Sequence, residues 1–201
     1  MRAARLVYIS LFWINALRVG PALALQPPRG VVELDYIADR PQAGGEAGDG
    51  YGYEITAGYQ LAGPVAAFGE YKHLLNPLRP RALGLVEENA YKGGLELTQP
   101  VTAKLHWVSA LIYEAEHDAA VTGASTERGY DLIQGLRLEA TPRLELIADL
   151  HYATVGRATN AVVVGFAEAI APRFAFQCLL EHIRSGGRYD NSYRFGVLFY
   201  C

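Results

Sequence analysis

The chain has 201 residues, with 18 basic and 21 acidic side chains and a formal charge of −3, and it holds no basic stripe of the kind that serves nucleic acid. Its length suits one domain. Tyr at 13 and Gly at 21, beside a single Met, favour β-structure over a helical bundle. Two cysteines, Cys178 and Cys201, are too few for a disulfide framework.

The first two dozen residues stand apart. Arg2 and Arg5 precede an apolar stretch from Leu6 to Leu17, and Ala22-Leu23-Ala24 has the small-x-small spacing that signal peptidase cleaves. This is the layout of a secretory signal peptide over residues 1–24, leaving 25–201 as the mature domain. An N-terminal anchor helix is the alternative, although the run is short for one. Cleavage after Ala24 removes Arg2, Arg5 and Arg18, so the mature chain carries 15 basic and 21 acidic residues, a charge of −6. Neither cysteine follows the cleavage point, so the lipid-attachment position of a bacterial lipoprotein is vacant.

Beyond the leader, "VVELDYIAD" (31–39) reads as a first strand, followed by a Gly-rich acidic connection, 40–50. Four similar segments come next: 58–71, 94–107, 135–152 and 165–182. Each has a Gly, a strand-like run, a turn holding Pro and a second run. Pro64, Pro100, Pro142 and Pro172 therefore mark hairpin tips, where a missing N–H costs little. Longer polar connections separate the hairpins, at 75–89, 114–128, 156–160 and 184–191. A last strand, "NSYRFGVLFY" (191–200), closes the chain. The count is about ten strands, with eight as the alternative should the first strand be a lead outside the sheet. Both termini fall on the short-turn side. Short turns alternating with longer loops are the pattern of an antiparallel up-and-down barrel of the outer membrane.

Period-two alternation runs through these strands. Tyr51, Tyr53, Ile55, Ala57, Tyr59 and Leu61 share one face, with Gly52, Glu54, Thr56, Gly58 and Gln60 on the other. Val101, Ala103, Leu105, Trp107, Leu111 and Tyr113 oppose Thr102, Lys104 and His106. Leu144, Leu146, Ala148, Leu150 and Tyr152 oppose Glu145, Asp149 and His151. Tyr193, Phe195, Val197 and Phe199 oppose Arg194 and Gly196. Alternation alone does not say which face meets water. Three features favour a membrane barrel with apolar residues outward: aromatic residues near strand ends, glycines beside charges on the polar face (Gly58, Gly94, Gly135), and strand lengths near the ~9–11 residues that span a bilayer at a tilt.

The segments "GDGYGYEITAGYQLAGPVAAFGEYKH", "RGYDLIQGLRLEATPRLELIADLHY" and "NSYRFGVLFY" resemble small porin-like outer-membrane β-barrels of Gram-negative bacteria. The likeness covers nearly all of the mature chain. It implies an all-β transmembrane barrel in outer-membrane lipid, inserted by the barrel-assembly machinery. The closing strand looks like the terminal assembly signal of such barrels, except that Cys201 follows Phe199 and Tyr200 where an aromatic residue usually ends the chain.

The polar face supplies the candidate site. The residues expected inside are Glu54, Glu70, Lys72, Lys92, Glu96, Lys104, His106, Arg137, Glu139, Glu145, Asp149, His151, Glu181 and Arg194, with Glu33, Asp35 and Asp131 among the same set. In a narrow barrel they would meet across the lumen and pair, because charges out of bulk water need partners or hydration. The expected role is structural or interactive, with loops 75–89 and 114–128 outermost; a narrow conduit for small polar solutes is the alternative, and an outer-membrane enzyme a third. Asp149 and His151 on one face suggest acid–base chemistry, but Ala153 stands where a nucleophile would complete it. No catalytic residue, metal, cofactor or nucleic-acid partner is expected.

Overall fold

The computed structural model describes residues 30–41, 50–77, 85–120, 123–155, 158–185 and 188–201. The leader expected over residues 1–24 lies outside them. Ten strands follow in order: β1 (Gly30–Pro41), β2 (Gly50–Ala62), β3 (Val65–Pro77), β4 (Leu85–Pro100), β5 (Leu105–Ala120), β6 (Gly123–Thr141), β7 (Leu144–Ala153), β8 (Thr159–Ala171), β9 (Phe174–Ser185) and β10 (Arg188–Tyr200). Every strand pairs antiparallel with its sequence neighbours, and β1 pairs with β10, so the sheet closes as an up-and-down barrel. No helix occurs among the described residues. Closure settles the strand count at ten. β1 is a full member of the wall, laddered on β10 from Val31↔Tyr200 to Pro41↔Asp190 and on β2 from Gly30↔Tyr59 to Asp39↔Gly50. Reciprocal bonds between Gly30 and Cys201, at 3.0 and 2.9 Å, extend that seam.

Three prolines stand in two-residue turns, at Gly63–Pro64, Pro142–Arg143 and Pro172–Arg173. Each of these turns is preceded by a one-residue bulge, where Leu61, Ala140 and Ile170 are skipped by the ladder. Gly63 has φ +54, a left-handed conformation that suits glycine. The fourth repeat differs. Pro100 pairs with His106 as the last residue of β4, and residues 101–104 form the turn after it. The Thr102 hydroxyl accepts from the amides of Lys104 and Leu105, which shapes that turn. Val101, Ala103 and Lys104 are consequently turn residues, all exposed, and not members of a strand face.

The far ends of the hairpins also depart from expectation. Segment 114–128 was expected to be an exposed loop. It is instead an extension of the β5–β6 hairpin, laddered from Glu114↔Gly129 to Ala120↔Gly123. Similarly, β3 reaches Pro77 and β4 begins at Leu85, inside the expected 75–89 connection. The reason is that "EAEHDAA" keeps its alternation. A polar strand extending into water on both faces loses nothing, and its ladder is propagated by the strand beside it. The β9–β10 connection is shorter too, with Ser185 opposite Arg188, which moves the register by two residues. Cys178 therefore faces Phe195 and not Val197 as the longer loop would require, and Cys178 and Cys201 are free thiols.

The outer surface carries the apolar faces. Leu34, Tyr53, Ile55, Leu95, Leu111, Leu146, Leu150, Val162, Val164 and Val197 are all exposed. Tyrosines gather on it toward the ends remote from the proline turns. Tyr36 pairs with Tyr53, Tyr71 with Tyr91 and Tyr113 with Tyr130 across adjacent strands. The Tyr71–Tyr91 and Tyr113–Tyr130 rings lie 5.1 and 5.6 Å apart. At the other end, Phe174 packs on Phe199 at 5.0 Å. Two aromatic girdles flanking an apolar band are the surface of a bilayer-spanning barrel. One polar cluster on this face satisfies itself: Trp107 Nε1 donates to Ser109 Oγ and Gln134 Oε1 at 3.0 and 3.1 Å, and Ser109 Oγ donates to Gln134 Oε1 at 3.0 Å.

Candidate functional site

Alternation that sends the leucines and tyrosines outward sends the charges inward. A single cavity of about 1970 Å³ occupies the barrel. Its wall extends from Gln60–Val65 and Gln99–Ala103 at the proline-turn end to Glu116, Val155 and Thr159 near the other. Among the described residues, twelve carboxylates line it (Glu33, Glu54, Glu70, Glu88, Glu96, Glu114, Glu116, Asp131, Glu139, Glu145, Asp149 and Glu181), against four permanent cations (Lys72, Lys92, Arg137 and Arg194).

The four cations organise what they can reach. Arg194 of β10 bonds Glu54 of β2 at 3.0 Å and Glu181 of β9 at 2.6 Å. Lys92 of β4 lies 2.5 Å from Glu70 of β3 and 3.9 Å from Glu114 of β5. Lys72 meets Glu88 at 2.6 Å, and Arg137 makes a two-pronged contact with Asp149. The polar wall is therefore cross-linked between strands distant in sequence. Interior glycines make room for it. A Cβ at Gly135 would collide with the Asp149 carboxylate and one at Gly196 with that of Asp35, so both strands are bare where an acid folds back. Asp35 is 1% exposed, and its oxygens take no hydrogen bond from a donor of the described barrel. Glu33, beside it, accepts from Gln177 Nε2.

The interior is not polar throughout. Val108, Ala110 and Ile112 of β5, Ile147 of β7 and Ala161, Val163 and Ala167 of β8 turn inward and are buried, with Ile112 two residues from Glu114 and Val163 directly opposite Glu181. Strict apolar-out, polar-in alternation does not anticipate this. Residues 162–164 are all valine, so Val163 is buried inside while Val162 and Val164 are exposed.

Of the residues expected inside, the barrel brings Glu54, Glu70, Lys72, Lys92, Glu96, His106, Arg137, Glu139, Glu145, Asp149, His151, Glu181 and Arg194 to the cavity wall. Lys104 is the exception. It stands in the exposed 101–104 turn, because β5 begins at Leu105, four residues after the Val101 start that the alternation supposes. Glu88, Glu114 and Glu116 also reach the wall, although their segments look like loops by polarity; an acid at every second position (Glu114, Glu116, Asp118) is the signal that marks 114–118 as strand. The Asp149–His151 association also dissolves. Asp149 is held by Arg137, and His151 Nδ1 faces Asp131 at 3.4 Å. His106 and His151 cannot share an ion: through β6, His106 is level with Ile147, four residues along β7 from His151, or about 13 Å at ~3.3 Å per residue.

Above the tyrosine girdle, Glu88, Glu116 and Asp118 bring carboxylate oxygens within 4.8 Å of one another. Burial, and after it the neighbouring Glu88 carboxylate, pushes Glu116 up to about 7. Glu88 itself is held below the usual carboxylate range: burial acts to raise it, but the Lys72 ammonium outweighs that.

No protein-family model matches the sequence, and no curated protein aligns with it significantly. Among solved structures, the β domain of the Bordetella autotransporter BrkA superposes with a TM-score of 0.51 at 10% identity, covering 86% of this chain and 100% of that one. The NanC porin gives 0.48 at 12%, over 84% of this chain and 100% of its own. Neisserial surface protein A gives 0.47 at 12%, over 86% and 96%. At 10% identity the likeness to the BrkA β domain is one of fold, and that fold is a closed antiparallel β-barrel.

Proposed function

We propose that this protein resides in the outer membrane of a Gram-negative cell and serves as a narrow, water-filled conduit for small polar solutes, with a preference for cations. The supporting observation is the cavity that is lined from the proline-turn end to Val155 and Thr159, with twelve carboxylates to four permanent cations on its wall. A negative wall around a low-dielectric passage concentrates cations and repels anions. The signal peptide over 1–24 would export the chain, and the barrel-assembly machinery would insert it with the proline turns toward the periplasm.

A closed barrel with a structural or interactive role is the second reading. It is favoured by Arg194 and Lys92, whose bridges tie β9, β10 and β2, and β3, β4 and β5, together along the lumen wall. Single-channel recording in planar bilayers separates the two. The conduit reading expects steady open steps and, in a salt gradient, a reversal potential of the sign set by cation flow. Silence would overturn it in favour of the closed barrel, and anion preference would overturn the charge argument. An enzymatic role receives no support from the separation of Asp149 from His151.

A further inference from the structure

A second hollow lies outside the lumen, on the lipid-facing surface at the tyrosine end of the barrel. Its volume is about 210 Å³, and its lining includes Leu150, Asn160, Val162, His182, Arg184 and Tyr189. These residues occupy two adjacent outward rungs of the sheet. Leu150, Val162, His182 and Asn191 are in register on one, and Tyr152, Asn160, Arg184 and Tyr189 on the next. The β7–β8 side of the hollow is apolar at Leu150 and Val162 with the Asn160 amide above them, and the β9–β10 side holds Arg184, His182 and Tyr189.

That second side is built. The Arg184 guanidinium stands 5.6 Å from the centre of the Tyr189 ring, and the His182 ring stacks on Tyr189 at 5.5 Å with an interplanar angle of 18°. One aromatic ring therefore holds the guanidinium and the imidazole in place. Asn191 Oδ1 accepts from His182 Nδ1 at 2.8 Å, so in the neutral ring Nε2 is an acceptor, able to take the remaining O–H of a singly ionised phosphate monoester. No carboxylate occupies an outward position on either rung, and Asp190, adjacent to Tyr189, points to the opposite face by alternation.

We propose that this hollow binds the phosphate monoester headgroup of a membrane lipid, with the phosphate on Arg184 and His182 and an acyl chain against Leu150 and Val162. The guanidinium fork fits phosphate oxygens, and the Asn160 amide adds a neutral donor. Tyr152 and Tyr193 place the rungs at the depth where headgroups lie. The apolar half decides the source of the phosphate. Val162 continues into the exposed Val164 on the same face, so the floor leads into the hydrocarbon band, which a free anion would not use.

Native mass spectrometry of the full chain purified in detergent tests this, with dipalmitoyl phosphatidic acid, the matching phosphatidylcholine and inorganic phosphate as probes. Phosphatidic acid should be retained and phosphatidylcholine should not. Arg184→Gln should weaken retention at least about tenfold, the loss of one contact to a charged group, and His182→Gln should weaken it less. Arg128→Gln, at an exposed outward position on β6, should leave it unchanged. Equal retention by Arg184→Gln, equal retention of phosphatidylcholine, or displacement of the lipid by inorganic phosphate at similar concentration would each overturn the proposal.

Discussion

Arg194→Met is the substitution to which the lumen should respond most. Arg194 alone neutralises two carboxylates from different strands, Glu54 at 3.0 Å and Glu181 at 2.6 Å, and these are only 3% and 7% exposed. Methionine preserves much of the apolar stem and removes the charge. Removing one partner of a buried pair typically costs about 3–5 kcal/mol, because the other charge stays buried and uncompensated. Two effects reduce that figure here. The guanidinium's own desolvation penalty disappears, and water in the cavity can reach the freed carboxylates. A loss of about 3 kcal/mol at neutral pH is the reasonable expectation. It should shrink as pH falls and the stranded acids take up protons, and most of it should return when Glu54→Gln and Glu181→Gln are added. Guanidinium titration of the refolded barrel in detergent micelles reports this through Trp107, the sole tryptophan after the leader. A single variant within 1 kcal/mol of the wild type, on the same scale, or a triple variant no better than the single, would refute the bridging role.

Two further outcomes follow from the same geometry. Leu146 is 42% exposed on the outer face and Glu145 faces the cavity, so Leu146→Arg should cost on the order of 2–4 kcal/mol in a bilayer and Glu145→Leu less. In a Cys178→Ser, Cys201→Ser background, Leu146→Cys should react with a lipid-soluble maleimide and not with an impermeant one; a protein that stays soluble without detergent and shields that thiol from both reagents would refute the membrane placement. Glu116 lies above the girdle and is pushed from 4.5 up to about 7, by burial first and then by Glu88, so folding takes up a proton between those values and its contribution to stability falls as pH rises through them. Glu116→Gln should flatten that part of the stability–pH curve, and identical slopes for the two proteins between pH 4.5 and 7 would refute the assignment.

The strand pattern was legible in the sequence because lipid imposes it. A residue facing hydrocarbon has to be apolar and its neighbour has to turn away, so period two survives wherever the wall crosses the bilayer. Legibility failed where that constraint lapses. At Glu114–Ala120 the outward face loses its leucines and tyrosines and carries Ala115, His117 and Ala119, and polarity that looks like a loop is compatible with a strand. At Pro100 the repeat suggested a turn residue, but the hairpin has four residues beyond it, and Lys104 left the lumen as a result. On β8 the inward face is as apolar as the outward one, so alternation carries no information about Val163. Partnership was the least legible property. Asp149 and His151 are neighbours on one strand face, yet each pairs across β6, to Arg137 and to Asp131, because cross-strand distance is shorter than the step along a strand.

The charge inventory argues that the lumen is wet. A dry, ion-paired plug needs near equality of signs, since an ionised carboxylate without a partner is costly out of water. Here Arg194 and Lys92 each serve two acids, while Lys72 and Arg137 bond Glu88 and Asp149. That leaves Glu33, Glu96, Glu116, Asp131, Glu139 and Glu145 on the cavity wall with no Lys or Arg in ion-pair contact among the described residues, Asp131 having only His151 beside it. Their positions are uneven. Glu96, Glu139 and Glu145 stand toward the proline-turn mouth, Glu116 toward the opposite end, and the paired clusters lie between them. A passage with unpaired acids toward both ends and bridged acids at its middle would gather cations where the wall is least neutralised and hold them least tightly where Arg194 and Lys92 compete. On the proposed conduit reading that middle has to be weakly attractive, so the substitution at Arg194 should alter ion selectivity as well as stability.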